Sequence, residues 1–171
     1  MFWYDDFVAC RITKPKDPAA AARAEVVELL FVYVDRLKQH FDDLAEVHGL
    51  TSVQAKVIMS LDDPEPMRSV AECLGCDPSN ITGVIDRLQE RGLVTRVEDP
   101  NDRRVKRITA TTGGRKLREA FETDLFRNVP GMKTLTNAQI SDLRDALASL
   151  ARPEPKASDR PEPRASARAA R

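Results

Sequence analysis

Residues 67–109 constrain this chain more than any other stretch, because two helical signals and a change of period follow one another with almost nothing between them. Met67 to Leu74 carries Val70, Ala71 and Leu74 on one helical face and stops at Gly75. Asp77-Pro78 opens a second helix. The Asp side chain can accept from the first free N–H groups, and Pro at the first helical position has no N–H to lose. Its inward residues are Ile81, Val84 or Ile85, and Leu88, and it stops at Gly92. From Leu93 the period falls to two. Leu93–Glu98 and Val105–Thr109 alternate as strands do, and Asp99-Pro100-Asn101-Asp102 between them is a turn cluster. The order is helix, glycine turn, helix, hairpin, which is a helix-turn-helix followed by a β-wing. The expected fold class is mainly α with a small β-hairpin wing.

Helices flank this block on both sides. From Ala19 to His48-Gly49, Val26, Leu30, Tyr33, Leu37, Phe41 and Leu44 recur at steps of four and three. Val27, Phe31 and Val34 widen the stripe, which predicts burial against more than one neighbour. Thr51-Ser52-Val53-Gln54 is a capping box, and Val53, Val57, Ile58 and Leu61 are the core face of the helix it opens. Asp62-Asp63-Pro64-Glu65-Pro66 breaks that helix. Beyond the hairpin, Thr111 or Thr112 starts a helix with Leu117, Phe121 and Leu125 on one side. Pro130-Gly131 interrupts, and Thr136 with Gln139 forms a second capping box before Ile140, Leu143, Leu147 and Leu150. Residues 1–18 read as an extended arm. Residues 153–171, rich in Pro, Ala and Arg, read as a disordered tail.

Formal net charge is zero, with 27 basic and 27 acidic residues, which at face value argues against a polyanionic partner. The total hides a segregation. Residues 19–66 carry four basic and nine acidic side chains, whereas Arg103, Arg104, Lys106 and Arg107 crowd into five positions. Neutrality therefore excludes nothing.

The N-terminus lacks a basic segment leading into an apolar one, and no apolar run approaches the ~20 residues of a membrane span. Three cysteines, Cys10, Cys73 and Cys76, are few and odd in number, which suits a reducing interior. The expectation is a soluble, cytoplasmic protein with no membrane partner.

Facing away from the core of the second helix are Ser79, Asn80, Thr82, Gly83, Asp86 and Arg87. Short polar groups near a helix N-terminus, followed by a long cation, are equipment for base edges in a major groove. Arg103 and Arg104 on the wing can reach a minor groove or phosphates, and Asp102 can orient a neighbouring guanidinium. Arg68 is placed with Ser79, Asn80, Thr82, Arg87, Arg103 and Arg104 as a contact to double-stranded DNA. A solvated helix face and a charged sheet edge are the plainer readings of the same residues; helix and hairpin together favour DNA.

Cys73-Leu74-Gly75-Cys76 offers two readings. One is a thiol or metal switch that distorts the turn positioning the second helix. The other is a small residue in the turn, Cys76, beside a surface thiol, Cys73. His40 and His48 are read as exposed or packed imidazoles, with no metal-spaced cluster around them. No nucleophile elbow, phosphate loop or paired His and nucleophile is present, so no enzyme, no cofactor and no metal are expected.

A family resemblance rests on these residues. Gly49-Leu50-Thr51, Gln54, Val70-Ala71-Glu72, Leu74-Gly75, Ser79-Asn80-Ile81-Thr82, Asp86-Arg87-Leu88, Arg91-Gly92-Leu93-Val94, Arg96, Asp102-Arg103-Arg104 and Thr111 to Gly114-Arg115 together resemble MarR-type winged helix-turn-helix regulators. The likeness spans about residues 20–150. It implies a homodimer joined through the first and last helices and bound to a pseudo-palindromic operator. It also implies a transcriptional regulator, a repressor, released by a small and often aromatic anion whose pocket the sequence does not locate. It casts Arg96, with Asp102, as wing anchors. The chain then divides into an arm (1–18), a dimerisation helix (19–48), a winged helix-turn-helix (51–110), C-terminal dimerisation helices (111–152) and a tail (153–171). The alternative is a thiol- or metal-responsive regulator switching through Cys73 and Cys76.

Overall fold

In the computed structural model, residues 15–100, 102 and 105–152 are described. Asp17 accepts from the Ala20 N–H and caps helix α1, Pro18–Val47, with Pro18 at its start. The helix thus begins one residue earlier than the arm boundary expected from sequence, because Asp-Pro is itself a start signal. It closes at His48, and Gly49 follows at φ 67°, a left-handed conformation that glycine adopts without Cβ strain.

The Thr51–Gln54 capping box opens α2, Ser52–Met59, as expected. Val57, Ile58 and Leu61 are buried; Val53 is not, and Gln54 and Ala55 take the inner face instead. The capping geometry explains the exchange: holding the Thr51 N–H points Gln54 inward and turns Val53 out.

Glu65–Pro66 forms a short strand, β1. Helices α3, Met67–Cys73, and α4, Pro78–Glu90, follow, then β2, Val94–Glu98, and β3, Lys106–Ala110. The sheet has three strands in the order β1-β3-β2, all antiparallel, with Arg96 opposite Ile108 and Glu65 also opposite Ile108. The two-stranded hairpin expected from sequence therefore has a third partner, drawn from the segment read as a breaker. Pro66 is tolerated there because β1 is an edge strand.

Helix α5, Thr112–Arg127, starts on Thr111, whose hydroxyl accepts from the Gly114 N–H. Ile81, Ile85 and Leu88 of α4, at i, i+4 and i+7, are fully buried with Val70, Ala71, Val94, Ile108 and Phe121. Each such side chain removed from water is worth roughly 1.5–3 kcal/mol. This core seats the helix-turn-helix on the sheet.

The chain separates into two compact units, residues 1–130 and 131–171. The second holds a 3₁₀ turn, Met132–Thr134, and α6, Asn137–Leu150, opened by the expected Thr136–Gln139 capping box. The N-terminal half of α1 departs from expectation. Of the expected stripe, Val26, Val27 and Val34 are exposed, as are Leu29 and Val32 outside it, and only Ala45 of this helix is fully buried within the chain. No described helix is long and apolar enough to cross a membrane.

Candidate nucleic-acid interface

The α3–α4 turn is built by Gly75 at φ 59° and by Asp77, which accepts from Ser79 through both its N–H (2.8 Å) and its hydroxyl (2.6 Å). These bonds, the hydroxyl first, hold the Asp77 carboxyl below its ordinary value. Ser79 thus faces outward with its hydroxyl proton already committed, which leaves oxygen lone pairs for a partner's donor. Asn80, Thr82 and Arg87 are exposed on the same helix, as expected. Gly83 lies among them, and a Cβ built there would meet nothing within 4 Å. Arg68 is exposed on α3 and pairs with Glu72 at 2.8 Å.

The wing is fastened to α4 by Arg96. Its Nη1 donates to Gln89 Oε1 at 2.7 Å and its Nη2 to Asp86 Oδ1 at 2.5 Å. Asp86, outward-facing in the sequence reading, is therefore half of an internal clamp. Asp86, Gln89, Glu90 and Arg96 line an open depression of about 330 Å³ between helix and wing. At the far end of α4, Arg91 Nη1 donates to the Gly49 carbonyl at 2.8 Å and ties the helix to the α1–α2 loop.

The carboxylate that orders the wing turn was not singled out in the sequence. Asp99 is buried, accepts Arg107 Nε at 2.5 Å and accepts the Asp102 N–H through Oδ1 at 3.3 Å. The Asp99 N–H reaches the Val105 carbonyl and the Val105 N–H the Asp102 carbonyl, which closes the turn. The Asp102 backbone shapes the turn, and Asp99 steers the Arg107 guanidinium; the pairing expected of the Asp102 side chain with Arg103 or Arg104 involves residues outside the described ones. The signal available in sequence was Asp99 at the turn start, where Asp habitually accepts from main chain two or three residues on. Arg103 and Arg104 lie outside the described residues, as do Cys10, the arm to residue 14 and the tail from 153.

Cys73 is exposed at the end of α3, whereas Cys76 is partly buried and donates to the Leu74 carbonyl. Among the described residues, no three His, Cys, Asp or Glu side chains gather as metal ligands. His40 Nε2 donates to the Leu125 carbonyl at 3.2 Å, and His48 Nε2 lies 3.1 Å from Asp124 Oδ2. Both imidazoles tie the α1 end of the chain to α5; the His48 ring also meets Phe121, whose ring meets Phe41 edge-on at 5.1 Å. Tyr33 Oη on α1 is buried and has no hydrogen-bond partner among the described residues.

The MarR family pattern matches residues 50–106, from the α1–α2 loop into β3. The transcriptional activatory protein BadR of Rhodopseudomonas palustris is 29% identical over 140 residues, 77% of this chain and 79% of that protein. CouR from Rhodococcus jostii RHA1, solved bound to p-coumaroyl-CoA, is 32% identical over 75% of this chain and 92% of its own, with a TM-score of 0.58. A mutant MarR from E. coli, solved with operator DNA, shares the fold at a TM-score of 0.58 and 23% identity over 75% of this chain and 94% of its own. By these likenesses the chain belongs to the MarR family of transcriptional regulators.

Proposed function

We propose that this chain is a sequence-specific, double-stranded-DNA-binding repressor, acting in the cytoplasm as a homodimer and released by a small aromatic anion. The observation that carries the reading is the Arg96 clamp. It holds the exposed polar face of α4 and the cationic wing in one fixed relation, which a two-groove contact requires and a merely solvated helix face does not. On this reading Ser79, Asn80, Thr82 and Arg87 face base edges, and Arg68, Arg103 and Arg104 contact the backbone or minor groove. Two recognition helices spaced by one helical turn, ~34–36 Å, would then read a pseudo-palindrome.

The dimer is supported by the exposed apolar side chains Val26, Val27, Leu29, Val32 and Val34 of α1. A second copy of a self-complementary face is the simplest cover for them. The effector class is supported by CouR, which binds an aromatic acyl thioester, and by the Tyr33 hydroxyl. A buried hydroxyl left unpaired costs about 1–3 kcal/mol, which a polar ligand group can offset.

The test is binding to DNA flanking its own gene as salt is varied. Arg103→Ala should weaken every sequence and lower the salt slope by about 1, whereas Asn80→Ala should shift base preference by ~1–3 kcal/mol at one position. If both variants bind like wild type, the groove assignment is wrong.

A further inference from the structure

Residues 61–64, between α2 and β1, are gripped from two sides by arginines of different elements. From α5, Arg118 Nη1 donates to the Leu61 carbonyl at 3.1 Å, Nη2 pairs with Asp62, and Nε donates to Glu122 Oε1 at 2.8 Å. From β3, Arg107 Nη1 donates to the Pro64 carbonyl at 3.1 Å while its Nε holds Asp99. Asp99 in turn accepts from the Asp102 N–H at the wing turn. Two sets of charge-assisted bonds, joined by the covalent backbone from Asp62 to Pro64, thus link the middle of α5 to the turn that precedes Arg103 and Arg104.

The chemistry of each link makes it directional. Arg118 is mostly buried, and its planar fork serves three acceptors at once, two on the loop and one on its own helix. No lysine could reproduce that geometry from a single ammonium. Leu61 is itself buried in the core, so the Leu61 carbonyl cannot shift independently of α2. The loop is short, and β1 begins immediately after Pro64, pairing Pro66 with Arg107 itself. Helix α5 and strand β3 thus hold the same short loop, and the β3 residue that holds it, Arg107, is the one that pairs with Asp99.

From this arrangement we propose that Arg118 is a positioning residue for the wing, setting the wing turn's order from α5 through the 61–64 loop. The proposal rests on the DNA-binding reading for its functional consequence, but not for its structural one. Arg118 touches no DNA on this account. It couples the state of α5 to the state of the wing.

Amide hydrogen exchange on the full-length chain tests the coupling without DNA. In Arg118→Gln, and equally in Arg118→Lys, the Asp99 and Val105 amides should exchange roughly three- to twenty-fold faster. The Leu93 amide, bonded to the Leu88 carbonyl behind α4, should keep its rate. Should Arg118→Gln fail to fold, Asp62→Asn carries the same comparison, since Asp62 is exposed and sits outside the core. Unchanged wing amides, or a uniform acceleration that includes Leu93, would overturn the proposal in favour of simple stabilisation. Operator binding then separates the two readings. If the wing reads DNA, Arg103→Ala should cost less affinity in Arg118→Gln than in wild type; strictly multiplicative losses would defeat the relay. If Arg103→Ala is silent in wild type, the DNA reading of the wing fails while the exchange result still decides the coupling.

Discussion

Arg96 on the first strand of the hairpin donates to Asp86 on the second helix at 2.5 Å, with Gln89 as a second acceptor one turn further on. A cation between helix and wing is thus spent on internal geometry. Asp86 is about half exposed, so the pair itself stabilises the fold by only ~0.5–1 kcal/mol after solvent screening. Its larger effect is orientational. Arg96→Ala should barely move the melting temperature yet weaken operator binding roughly five- to thirty-fold, by freeing the wing relative to α4. Titration calorimetry beside thermal denaturation checks this, and equal losses in both would refute it.

Two glycines should respond in opposite directions. A Cβ at Gly114 would lie 2.0 Å from the Leu93 carbonyl oxygen, a backbone atom that cannot step aside. Gly114→Ala should therefore cost about 2–4 kcal/mol by forcing α5 away from the β2 entry. Gly83 has open space around it, so Gly83→Ala should raise stability by ~0.5–1 kcal/mol through helix propensity. If α4 enters a groove as proposed, that gain comes with weaker operator binding, because the added methyl occupies the approach. Urea denaturation with parallel binding curves measures both.

Acid should dismantle the start of α4. The Ser79 bonds favour the charged form of Asp77 only in the folded chain, which lowers its carboxyl below 3.8. Their contribution is complete above that value and is lost as pH falls through the lower, folded one. The stability difference between wild type and Asp77→Asn should hold constant above about pH 5 and shrink below 3.8. A difference that stays flat to the acid limit would mean Asp77 does not cap α4 as a carboxylate.

Tyr33→Phe removes a buried hydroxyl with no partner among the described residues. Deleting an unsatisfied group should leave stability unchanged or raise it by up to ~1 kcal/mol. If the hydroxyl serves an effector, the same variant should need more aromatic anion to release the operator. Wild-type release by the anion together with an unaltered Tyr33→Phe response would place the effector elsewhere.

Local rules carried most of the fold. Both capping boxes, the Asp77-Pro78 start and the glycine stops occupy the positions their chemistry demands, because each involves residues only two to four apart. What escaped was non-local. Nothing in Glu65-Pro66 alone says strand; its partner is β3, and only the closed chain brings them together. Val53 read as core because alternation of burial on a short helix is ambiguous by one position, and the cap settled it. At the site, the family resemblance alone cast Arg96 as a wing anchor, and nothing in the sequence marked its acceptors Asp86 and Gln89. The buried Asp99, which holds Arg107, was legible only as part of a turn cluster, because its partner stands eight residues on across the hairpin. The exposed α1 valines look like a failed core within one chain, since a helix-period stripe does not say whose side chains cover it.

Strand β1 has one more consequence, for the order of events in folding. Its pairing with β3 closes a loop of about 40 residues that contains the whole helix pair. A nascent chain releases α3 and α4 before the strand that seals them exists. Until residue 108 emerges, the faces of Ile81, Ile85 and Leu88 have no sheet to rest on. The edge that waits for β3 is two residues long and ends in Pro66, too short and too poor in donors to recruit another chain. An edge that brief offers an emerging chain little to mispair with.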